Sequence, residues 1–588
     1  MKKLWDEDPV KIPLQKSRKR ALVIVSVILF GFAAIFLRLI TLMVLDHDKL
    51  SGRAAQQYNR EKTLQPQRGV IWDRQMKEMA ANIESDSLFA IPSKIENTRN
   101  LSRELAPLTK VSSKELNTVF LKKKHKDFVW IDRKMDQETA SEVRKLLKKM
   151  GYDALGVIPE SKRYYPKGRI ASHILGFTNI DNSGIAGLEL KYNEYLKGEG
   201  VNVSVGTDAR GNRLSSNIRD AISGNNLLLT IDEGIQYIVE KELSDAMAEW
   251  KAKAAVAIMM DPMTGEILAM ANRPTYDPNA AGKSRDYARR NRGITDLFEP
   301  GSTFKTILAS AALEEGIVNL YDEFDVSKGV IFVGGKPVRD IHRNKILTFQ
   351  EIIQKSSNVG AVQVGLKLGE EKYYTYIRKF GFGEKSGIDF PGEVQGILRK
   401  TTDWSGTSIA ALSIGQEIGV TPLQVLRAYS AIANGGALMK PYIVSDIISP
   451  LGEVVKKVRP EITRQVVSRD TAVKVKNILK MVVEHGGTAM EAEIKGNLVA
   501  GKTGTAQVFD HKLKRYSKKK YVSSFVGFVP AEDPRIALIV VVYEPKGSTY
   551  GGVVAAPVFR KIIEHTFAYL NVPMEREENQ IVLVSKSR

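Results

Sequence analysis

The chain of 588 residues contains no cysteine, which excludes disulfide bonds, cysteine-ligated metal sites and a cysteine nucleophile. Its seven histidines are scattered, and no two of them have the spacing of one helix face. We therefore expect no metal site and no cofactor. The sequence also lacks repeats of fixed period and long low-complexity linkers, and its length predicts two or three folded domains.

Acidic residues are fewer than basic ones: the sequence has 67 Asp and Glu and 87 Lys and Arg, which gives a formal net charge of +20. A basic protein can bind nucleic acid, an anionic membrane surface or an anionic polymer. We find no DNA- or RNA-binding module and expect no nucleic-acid partner. A membrane surface or an anionic polymer fits better, and a solvated basic surface without a special partner stays open.

One apolar run is long enough to cross a membrane. It extends from Ala21 to Leu37, continues past Arg38 to Leu45, and exceeds what a hydrocarbon core of about 30 Å requires. The run is longer than the apolar part of a signal peptide, and no cleavage site follows it closely, so we expect a retained anchor. The run is preceded by the basic residues Lys11, Lys16, Arg18, Lys19 and Arg20. Because basic residues stay on the cytoplasmic side, we expect 1–20 in the cytoplasm, 21–45 in the cytoplasmic (inner) membrane and the rest on its extracytoplasmic side.

The exported part changes its pattern near Gly224. Residues 46–222 are mixed in pattern, and two lysine-rich stretches, 113–126 and 136–150, predict surface helices with one apolar face. We predict a non-catalytic domain over 46–222, a second domain over 223–575 and a C-terminal tail over 576–588.

The second domain has strand patterns at both ends and helical patterns between them. Asp232 predicts a helix start, and the runs Ala254–Met260 and Glu266–Ala271 predict a β-hairpin. Strands and a closing helix are expected again at Leu498–Gly504, Val522–Val529, Ile536–Tyr543 and Pro557–Leu570. The expected fold is α+β, with an antiparallel sheet flanked by helices and an all-helical insert between its halves.

A serine and a lysine near the start of a predicted helix have the spacing of a nucleophile and its base. Ser302 follows Glu299-Pro300-Gly301, and Lys305 lies three residues later on the same helix face. A buried amine beside other cations loses its proton more readily and can then activate a hydroxyl. Alone this signal is weak, because Ser517 and Lys520 repeat the spacing in a lysine-rich stretch that we expect to be a solvated loop.

Two further motifs follow in order. Ser356-Ser357-Asn358 comes 54 residues after Ser302, and Lys502-Thr503-Gly504-Thr505 follows an apolar strand pattern. Ser-x-x-Lys, Ser-x-Asn and Lys-Thr-Gly in this order are typical of penicillin-binding proteins and β-lactamases. Gly504 is expected to let a substrate backbone lie close to the strand.

Together with these motifs, other segments resemble the class B penicillin-binding proteins, the peptidoglycan D,D-transpeptidases. Segments similar to that family's motifs are Arg68–Arg74, Arg163–Pro166, His173–Gly176, Gly184–Glu189, Asp261–Gly265, Gly415–Gln416 and Val420–Gln424. The chain departs from the usual pattern at Gln75-Met76, where Asn-Gly is common. The resemblance implies an elongated, dimerisation-type α+β pedestal followed by a penicillin-binding transpeptidase domain.

The resemblance also implies roles for the motif residues. Ser302 would attack the D-Ala-D-Ala carbonyl of a stem peptide, and Lys305 would take its proton. Ser356 would relay a proton to the leaving group, Asn358 would hold the substrate amide and Lys305, and Lys502 would support Ser356. The terminal carboxylate would bind at Thr503 and Thr505, beside Gly504, and the backbone N–H groups of Ser302 and Thr505 would form the oxyanion hole.

Some finer features look like the division-specific subgroup. They are Gly176–Asp181, leading into Gly184, and Tyr550–Pro557. No glycosyltransferase domain precedes the pedestal, which favours class B over bifunctional class A. The resemblance implies lipid-linked stem peptides as substrates, β-lactams as covalent inhibitors, and a SEDS-type glycosyltransferase and other divisome membrane proteins as partners.

Other functions stay open. One is an elongation-type class B transpeptidase. A D,D-carboxypeptidase or β-lactamase would use the same serine with water as acceptor, and a non-enzymatic wall-assembly scaffold or β-lactam sensor would keep the fold. The anchor and the long pedestal argue against the hydrolases, and the intact motif set argues against a scaffold or sensor.

Overall fold

The structure is a computed structural model, and it describes residues 14–49, 60–64, 66–151, 153–198, 201–205, 223–510 and 515–572. The chain divides into two compact units, Met1–Pro66 with Glu199–Ile222 and Gln67–Gly198 with Ser223–Arg588. Most of the predicted cytoplasmic tail, residues 1–13, and the predicted C-terminal tail 576–588 lie outside the described residues. Strands are numbered β1–β22 and α-helices α1–α19 in chain order.

The first unit contains the apolar helix. Helix α1 (Leu14–Ile40) continues into a π-helical turn, Thr41–Leu45, and the stretch Arg18–Leu45 has the length and composition needed to cross a membrane. Its apolar side chains are exposed, as Phe30 shows with 78% of its surface accessible. In the same unit, β1 (Arg60–Leu64) pairs antiparallel with β8 (Val201–Val205).

Residues 67–198 of the second unit, together with the strand Asn226–Leu229, form short helices around a mixed sheet. The helices are α2 (Thr98–Leu105), α3 (Ser113–Lys122), α4 (Gln137–Met150), α5 (Ser172–Leu175), α6 (Gly187–Lys191) and α7 (Asn193–Leu196). The strands are β2 (Ile71–Trp72), β3 (Glu78–Ala90), β4 (Val129–Met135), β5 (Leu155–Tyr164), β6 (Phe177–Thr178), β7 (Gly184–Ala186) and β9 (Asn226–Leu229). Helices α3 and α4 confirm the two predicted surface helices, although α3 ends at Lys122, before the rest of its basic run.

One sheet links this region to later parts of the chain. Its strand order is β18 (Val454–Lys457), β17 (Val444–Ile448), β9, β2, β3 and β4, and β5 also pairs with β3. The β2–β9 pair is parallel, with Ile71 opposite Leu227. Strand β9 directly follows the predicted domain limit at 222/223 and hydrogen-bonds to strands from both sides of that limit.

A buried charge network holds together segments of this region that resemble family motifs. The Glu189 carboxylate accepts hydrogen bonds from Arg68 Nε at 2.5 Å and Arg163 Nε at 2.6 Å, and all three side chains are at most 2% exposed. Each charge depends on its partners, because an unpaired charge at such depth is costly.

The rest of the second unit is built on a five-stranded antiparallel sheet with the order β11-β10-β22-β21-β20. Its strands are β10 (Ala254–Met260), β11 (Ile267–Arg273), β20 (Ala500–Asp510), β21 (Arg515–Val529) and β22 (Ile536–Tyr543). Because successive side chains point to opposite faces, Ala255, Ala257 and Met259 pack against α8 (Glu233–Glu249) and α19 (Ala556–Tyr569), whereas Val256 and Ile258 join the larger core on the other face. The predicted Asp232 cap, the hairpin and the sheet formed from both ends of the domain are confirmed.

The insert between β11 and β20 carries most of the helices. They are α9 (Asp286–Arg289), α10 (Arg292–Thr295), α11 (Lys305–Glu314), α12 (Phe349–Gln354), α13 (Asn358–Leu368), α14 (Glu370–Lys379), α15 (Ser408–Ser413), α16 (Pro422–Ala433) and α17 (Arg469–Val483), and α18 (Gly551–Val554) follows the sheet. The insert also contains short paired strands: β12 (Glu323–Asp325) with β15 (Ile346–Thr348), β13 (Val330–Val333) with β14 (Lys336–Arg339), and β16 (Ala437–Met439) with β19 (Ile462–Gln465).

The basic stretch Lys512–Lys520 differs from the expectation of a loop. Residues 511–514 lie outside the described residues, but Arg515–Lys520 form the first part of β21. The strand extends because Tyr516 pairs with Phe509 across the hairpin, with ring centroids 5.3 Å apart. The second Ser-x-x-Lys therefore lies in a strand, where the Ser517 hydroxyl accepts from the backbone N–H groups of Lys519 and Lys520.

Candidate active site

Ser302 lies in a tight turn at the entrance of α11. The turn Gly301–Phe304 is 3₁₀-helical, and Gly301 has a φ of 56°, which favours glycine. The α-helix begins at Lys305, whose Nζ donates to Ser302 Oγ at 3.2 Å. The prediction that both side chains share one face is confirmed.

Lys305 is fully buried and has four oxygen neighbours. Its Nζ donates to Asn358 Oδ1 and to the Ser356 carbonyl, both at 2.7 Å, and lies 3.3 Å from Ser356 Oγ. Burial lowers the pKa of Lys305 well below its usual value; the charge of Lys502 lowers it further, and Asp340 opposes the shift. This shift makes the neutral amine more accessible than in an exposed lysine, and its lone pair can accept a proton from Ser302.

Ser356 links α12 to α13 in a conformation that few residues adopt. Its φ is 59°, in the left-handed region, and it directs both its carbonyl and its hydroxyl at Lys305. Such a conformation costs energy and persists only where the surroundings enforce it. The strain is thus tied to the contact between the first two motifs.

Asp340 is a residue that the motif search missed. Its Oδ1 accepts from the backbone N–H groups of Asn358 at 2.5 Å and Val359 at 2.9 Å, and its Oδ2 accepts from Ser357 Oγ at 2.8 Å. A carboxylate here caps the N-terminus of α13 and complements its dipole. The middle motif of related enzymes can be Ser-Asp-Asn, and this chain has Ser357 in the place of that aspartate. Here Asp340, in the segment after β14, supplies a carboxylate beside the motif.

The third motif lies on the edge strand β20. Thr503 and Thr505 line the cavity, whereas Gly504, between them, points to the opposite face. A Cβ at Gly504 would lie 2.8 Å from the Pro300 carbonyl oxygen and 2.4 Å from Ser524 Oγ. The glycine therefore allows the turn of Ser302 to approach the strand, and the structure places it against that turn instead of against the cavity.

The hydroxyls of this strand are held by neighbours. Thr503 Oγ1 accepts from Lys502 Nζ at 3.3 Å and lies 3.1 Å from Thr488 Oγ1. Thr505 Oγ1 accepts from the Gly551 backbone N–H at 3.0 Å. Burial lowers the pKa of Lys502 to about 7. Gly551 lies in the segment Tyr550–Pro557 that the sequence analysis noted for its resemblance to one subgroup, whereas no sequence signal singled out Thr488.

Five of the predicted site residues line one cavity of about 650 Å³. Its lining includes Ser302, Ser356, Asn358, Thr488, Thr503 and Thr505. Lys305 lies beneath Ser302, and Lys502 lies close enough to lower the pKa of Lys305. Within the described ranges, no hydrogen bond joins Lys502 to Ser356, and no cluster of three or more His, Asp or Glu side chains has the arrangement of a metal site.

Comparison with known families finds a match in two segments of the chain. The family of the penicillin-binding protein transpeptidase domain matches residues 255–564, and that of the penicillin-binding protein dimerisation domain matches residues 63–229. The chain therefore belongs to the class B penicillin-binding proteins, and it is a serine-type D-Ala-D-Ala transpeptidase.

Individual proteins agree with this family. The chain is 38% identical to stage V sporulation protein D of Bacillus subtilis, covering 96% of this chain and 87% of that protein. It is 32% identical to the peptidoglycan D,D-transpeptidase FtsI of Escherichia coli K12, covering 93% and 91%. A crystal structure of penicillin-binding protein 3 of Mycobacterium tuberculosis with aztreonam has a TM-score of 0.68 and 28% identity, covering 88% of this chain and 98% of that one.

Proposed function

We propose that Ser302 is the nucleophile of this transpeptidase and Lys305 its general base. The observation that carries the proposal is the position of Lys305: its amine is buried, is 3.2 Å from Ser302 Oγ and is surrounded by oxygen acceptors. A charged ammonium loses hydration at such a site, whereas a neutral amine keeps a lone pair for the Ser302 proton.

In the acylation step, Ser302 Oγ bonds to the carbonyl carbon of the penultimate D-alanine as its proton passes to Lys305. The C–N bond to the terminal D-alanine then breaks, and its nitrogen takes up a proton relayed through Ser356, whose hydroxyl is 3.3 Å from Lys305 Nζ. The acyl-enzyme is resolved when an acceptor amine forms a new amide bond and the proton returns to Ser302.

The remaining motif residues bind the substrate in this proposal. The side-chain oxygen of Asn358 accepts from Lys305, and one N–H of its amide donates to the Arg339 carbonyl. The second N–H of the amide can then donate to the substrate backbone. Thr503 and Thr505 bind the terminal carboxylate, beside the buried charge of Lys502. The backbone N–H groups of Ser302 and Thr505 stabilise the oxyanion, and Gly504 acts indirectly by admitting the turn.

We propose a role in septal wall synthesis, with the catalytic domain outside the cytoplasm and with β-lactams as covalent inhibitors. The similarity to FtsI and to PenA proteins of Neisseria, 33% identical over 96% of this chain, supports it. The apolar helix α1 would anchor the protein, with basic residues on its cytoplasmic side. The same proposal includes the segment limits 1–20, 21–45, 46–222, 223–575 and 576–588. It also includes a SEDS-type glycosyltransferase and divisome proteins as partners.

A second candidate is a role in sporulation. It is supported by the 38% identity to stage V sporulation protein D. The two candidates share the same chemistry and differ in when and where the protein acts. Depletion of the protein decides between them: filamentous growing cells indicate division, whereas normal growth with defective spores indicates sporulation.

The chemistry is tested by labelling the full chain, in detergent, with a fluorescent penicillin. We expect covalent labelling of the wild type and of Ser517→Ala, the matched control in the second Ser-x-x-Lys, and none of Ser302→Ala. If Ser302→Ala is still labelled, or if Ser517→Ala is not, the nucleophile is assigned wrongly.

A further inference from the structure

Glu299, three residues before Ser302, lies where three segments of the catalytic domain meet. Its Oε1 accepts from the backbone N–H of Glu417 at 3.0 Å and from the Tyr516 hydroxyl at 3.0 Å. The first contact comes from the loop that follows α15, and the second comes from β21. The side chain thus joins the turn of the nucleophile to both neighbours.

The same segments also meet through backbone contacts. Gly301 N–H donates to the Gly415 carbonyl at 3.0 Å, and Phe298 and Val420 exchange two backbone hydrogen bonds of 3.0 and 2.9 Å. One side of the turn is therefore fixed by loop 415–420. The other side faces the hairpin β20–β21, and there the Tyr516 hydroxyl supplies a side-chain contact.

The environment of Glu299 suits a neutral carboxyl group. Its Oε2 is buried and has no hydrogen-bond partner among the described residues, and no described cation forms an ion pair with it. The titratable groups that face it are the carboxylate of Glu417, a like charge paired with Arg399, and the neutral hydroxyl of Tyr516. The hydrogen bonds from this hydroxyl and from the Glu417 N–H favour the ionised form, but burial outweighs them. An ionised carboxylate with one unsolvated oxygen beside a second carboxylate is unfavourable.

The position of the hairpin matters for the reaction because β20 carries Thr503 and Thr505. A Cβ at Gly301 would lie 3.2 Å from the Thr505 carbonyl oxygen, so the turn and the strand are already in close contact. Tyr516 lies further along the hairpin and packs its ring on Phe509 of β20. A displacement of Tyr516 would therefore also displace β20, the strand that faces Ser302.

We propose that Glu299 is a positioning residue which, in its protonated form, latches the hairpin β20–β21 to the turn of Ser302 and keeps Thr505 at its working distance. This inference rests on the proposed function, since it takes Ser302 as the reacting group. Burial raises the pKa of Glu299 to about 7. Ionisation strengthens the two hydrogen bonds to Oε1, but it also places a charge in a buried site beside the Glu417 carboxylate. Because the buried group has a higher pKa than an exposed glutamate, ionisation on balance favours a state in which Glu299 is hydrated and the latch is open, so acylation slows in alkaline solution.

The test measures the acylation rate of the full chain by a fluorescent penicillin between pH 6 and pH 8.5. Glu299→Gln keeps the acceptor oxygen and stays neutral, so we expect it to match the wild type at pH 6. Its rate relative to the wild type should rise by up to about 30-fold between pH 6 and pH 8.5, because only about 3% of an acid with a pKa near 7 is still protonated at pH 8.5. Taking this ratio removes the titrations of Lys305 and Lys502, which both proteins share.

Two further variants keep the outcome unambiguous. Tyr516→Phe loses the latch and should be acylated more slowly than the wild type at pH 6, with little change in the affinity of the first complex. Glu315→Gln is the matched control, since Glu315 also accepts from a tyrosine hydroxyl, Tyr376 at 2.8 Å, but at a site remote from the cavity; it should follow the wild type.

The inference is overturned if Glu299→Gln and the wild type keep a constant ratio across the pH range, or if Tyr516→Phe matches the wild type at pH 6. Failure of the proposed function is a different result, namely a wild type that is not labelled at Ser302 at any pH. Thermal unfolding of each variant separates slow acylation from loss of the fold.

Discussion

Asp340 provides a test of how the second motif is held, because its carboxylate accepts from Ser357, Asn358 and Val359 and reaches Lys305 only through its charge. Replacing it with asparagine keeps the size of the side chain and removes its charge. The carboxylate accepts three hydrogen bonds, at 2.5, 2.8 and 2.9 Å, from the first turn of α13. An amide group has one oxygen in place of two, so at least one contact is lost and a donor faces a donor.

A hydrogen bond to a charged group contributes about 1.5–3 kcal/mol. Since Asn358 and Ser356 owe their positions to this cap, the loss falls on the contacts of Lys305, and about 1.4 kcal/mol corresponds to a tenfold change in rate. We therefore expect Asp340→Asn to slow acylation by a fluorescent penicillin roughly 10- to 100-fold.

Asp325→Asn is the control, because Asp325 accepts from the backbone N–H of Ser327 at 2.8 Å and touches no motif. It should react at the rate of the wild type. An acylation rate of Asp340→Asn within twofold of the wild type, in a protein that unfolds at the same temperature, would refute the positioning role.

Two other substitutions test the packing that supports the site. Glu189→Ala leaves Arg68 and Arg163 buried without their counter-charge and should lower the free energy of unfolding by about 3–5 kcal/mol; a small change in denaturant midpoint would show that water replaces the carboxylate. Gly504→Ala places a methyl group 2.4 Å from Ser524 Oγ. It should raise the barrier of acylation by about 1.4 kcal/mol or more, which slows acylation by the same penicillin at least about tenfold. A wild-type rate of acylation would show that the turn can shift freely.

The parts of the fold that could be predicted are those that local sequence determines. The hairpin of β10 and β11 and the cap at Asp232 follow from alternation and from one polar residue before a helix. The contact of Ser302 with Lys305 agrees with their spacing, but the order of the three motifs was needed to tell this pair from Ser517 and Lys520. Such features need no knowledge of distant contacts.

The features that could not be predicted depend on segments that are distant in sequence. Asp340 reaches Asn358 from 18 residues away, and Thr488 reaches Thr503 from 15 residues away. Strand β9 follows the change of pattern at Gly224, yet it pairs with β2, about 150 residues earlier. The strand over Arg515–Lys520 has a basic composition typical of a loop, but the aromatic pair across the hairpin extends it.

The central claim is that Ser302 forms the acyl-enzyme, and peptide mapping by mass spectrometry tests it most directly. The full chain is mixed with a donor peptide ending in D-Ala-D-Ala, quenched, digested and searched for an added acyl group. We expect the group on the peptide that contains Ser302, one D-alanine released for each group bound, and removal of the group by an acceptor amine as a cross-linked product. An acyl group on any other residue, or D-alanine release by Ser302→Ala at the wild-type rate, would contradict it.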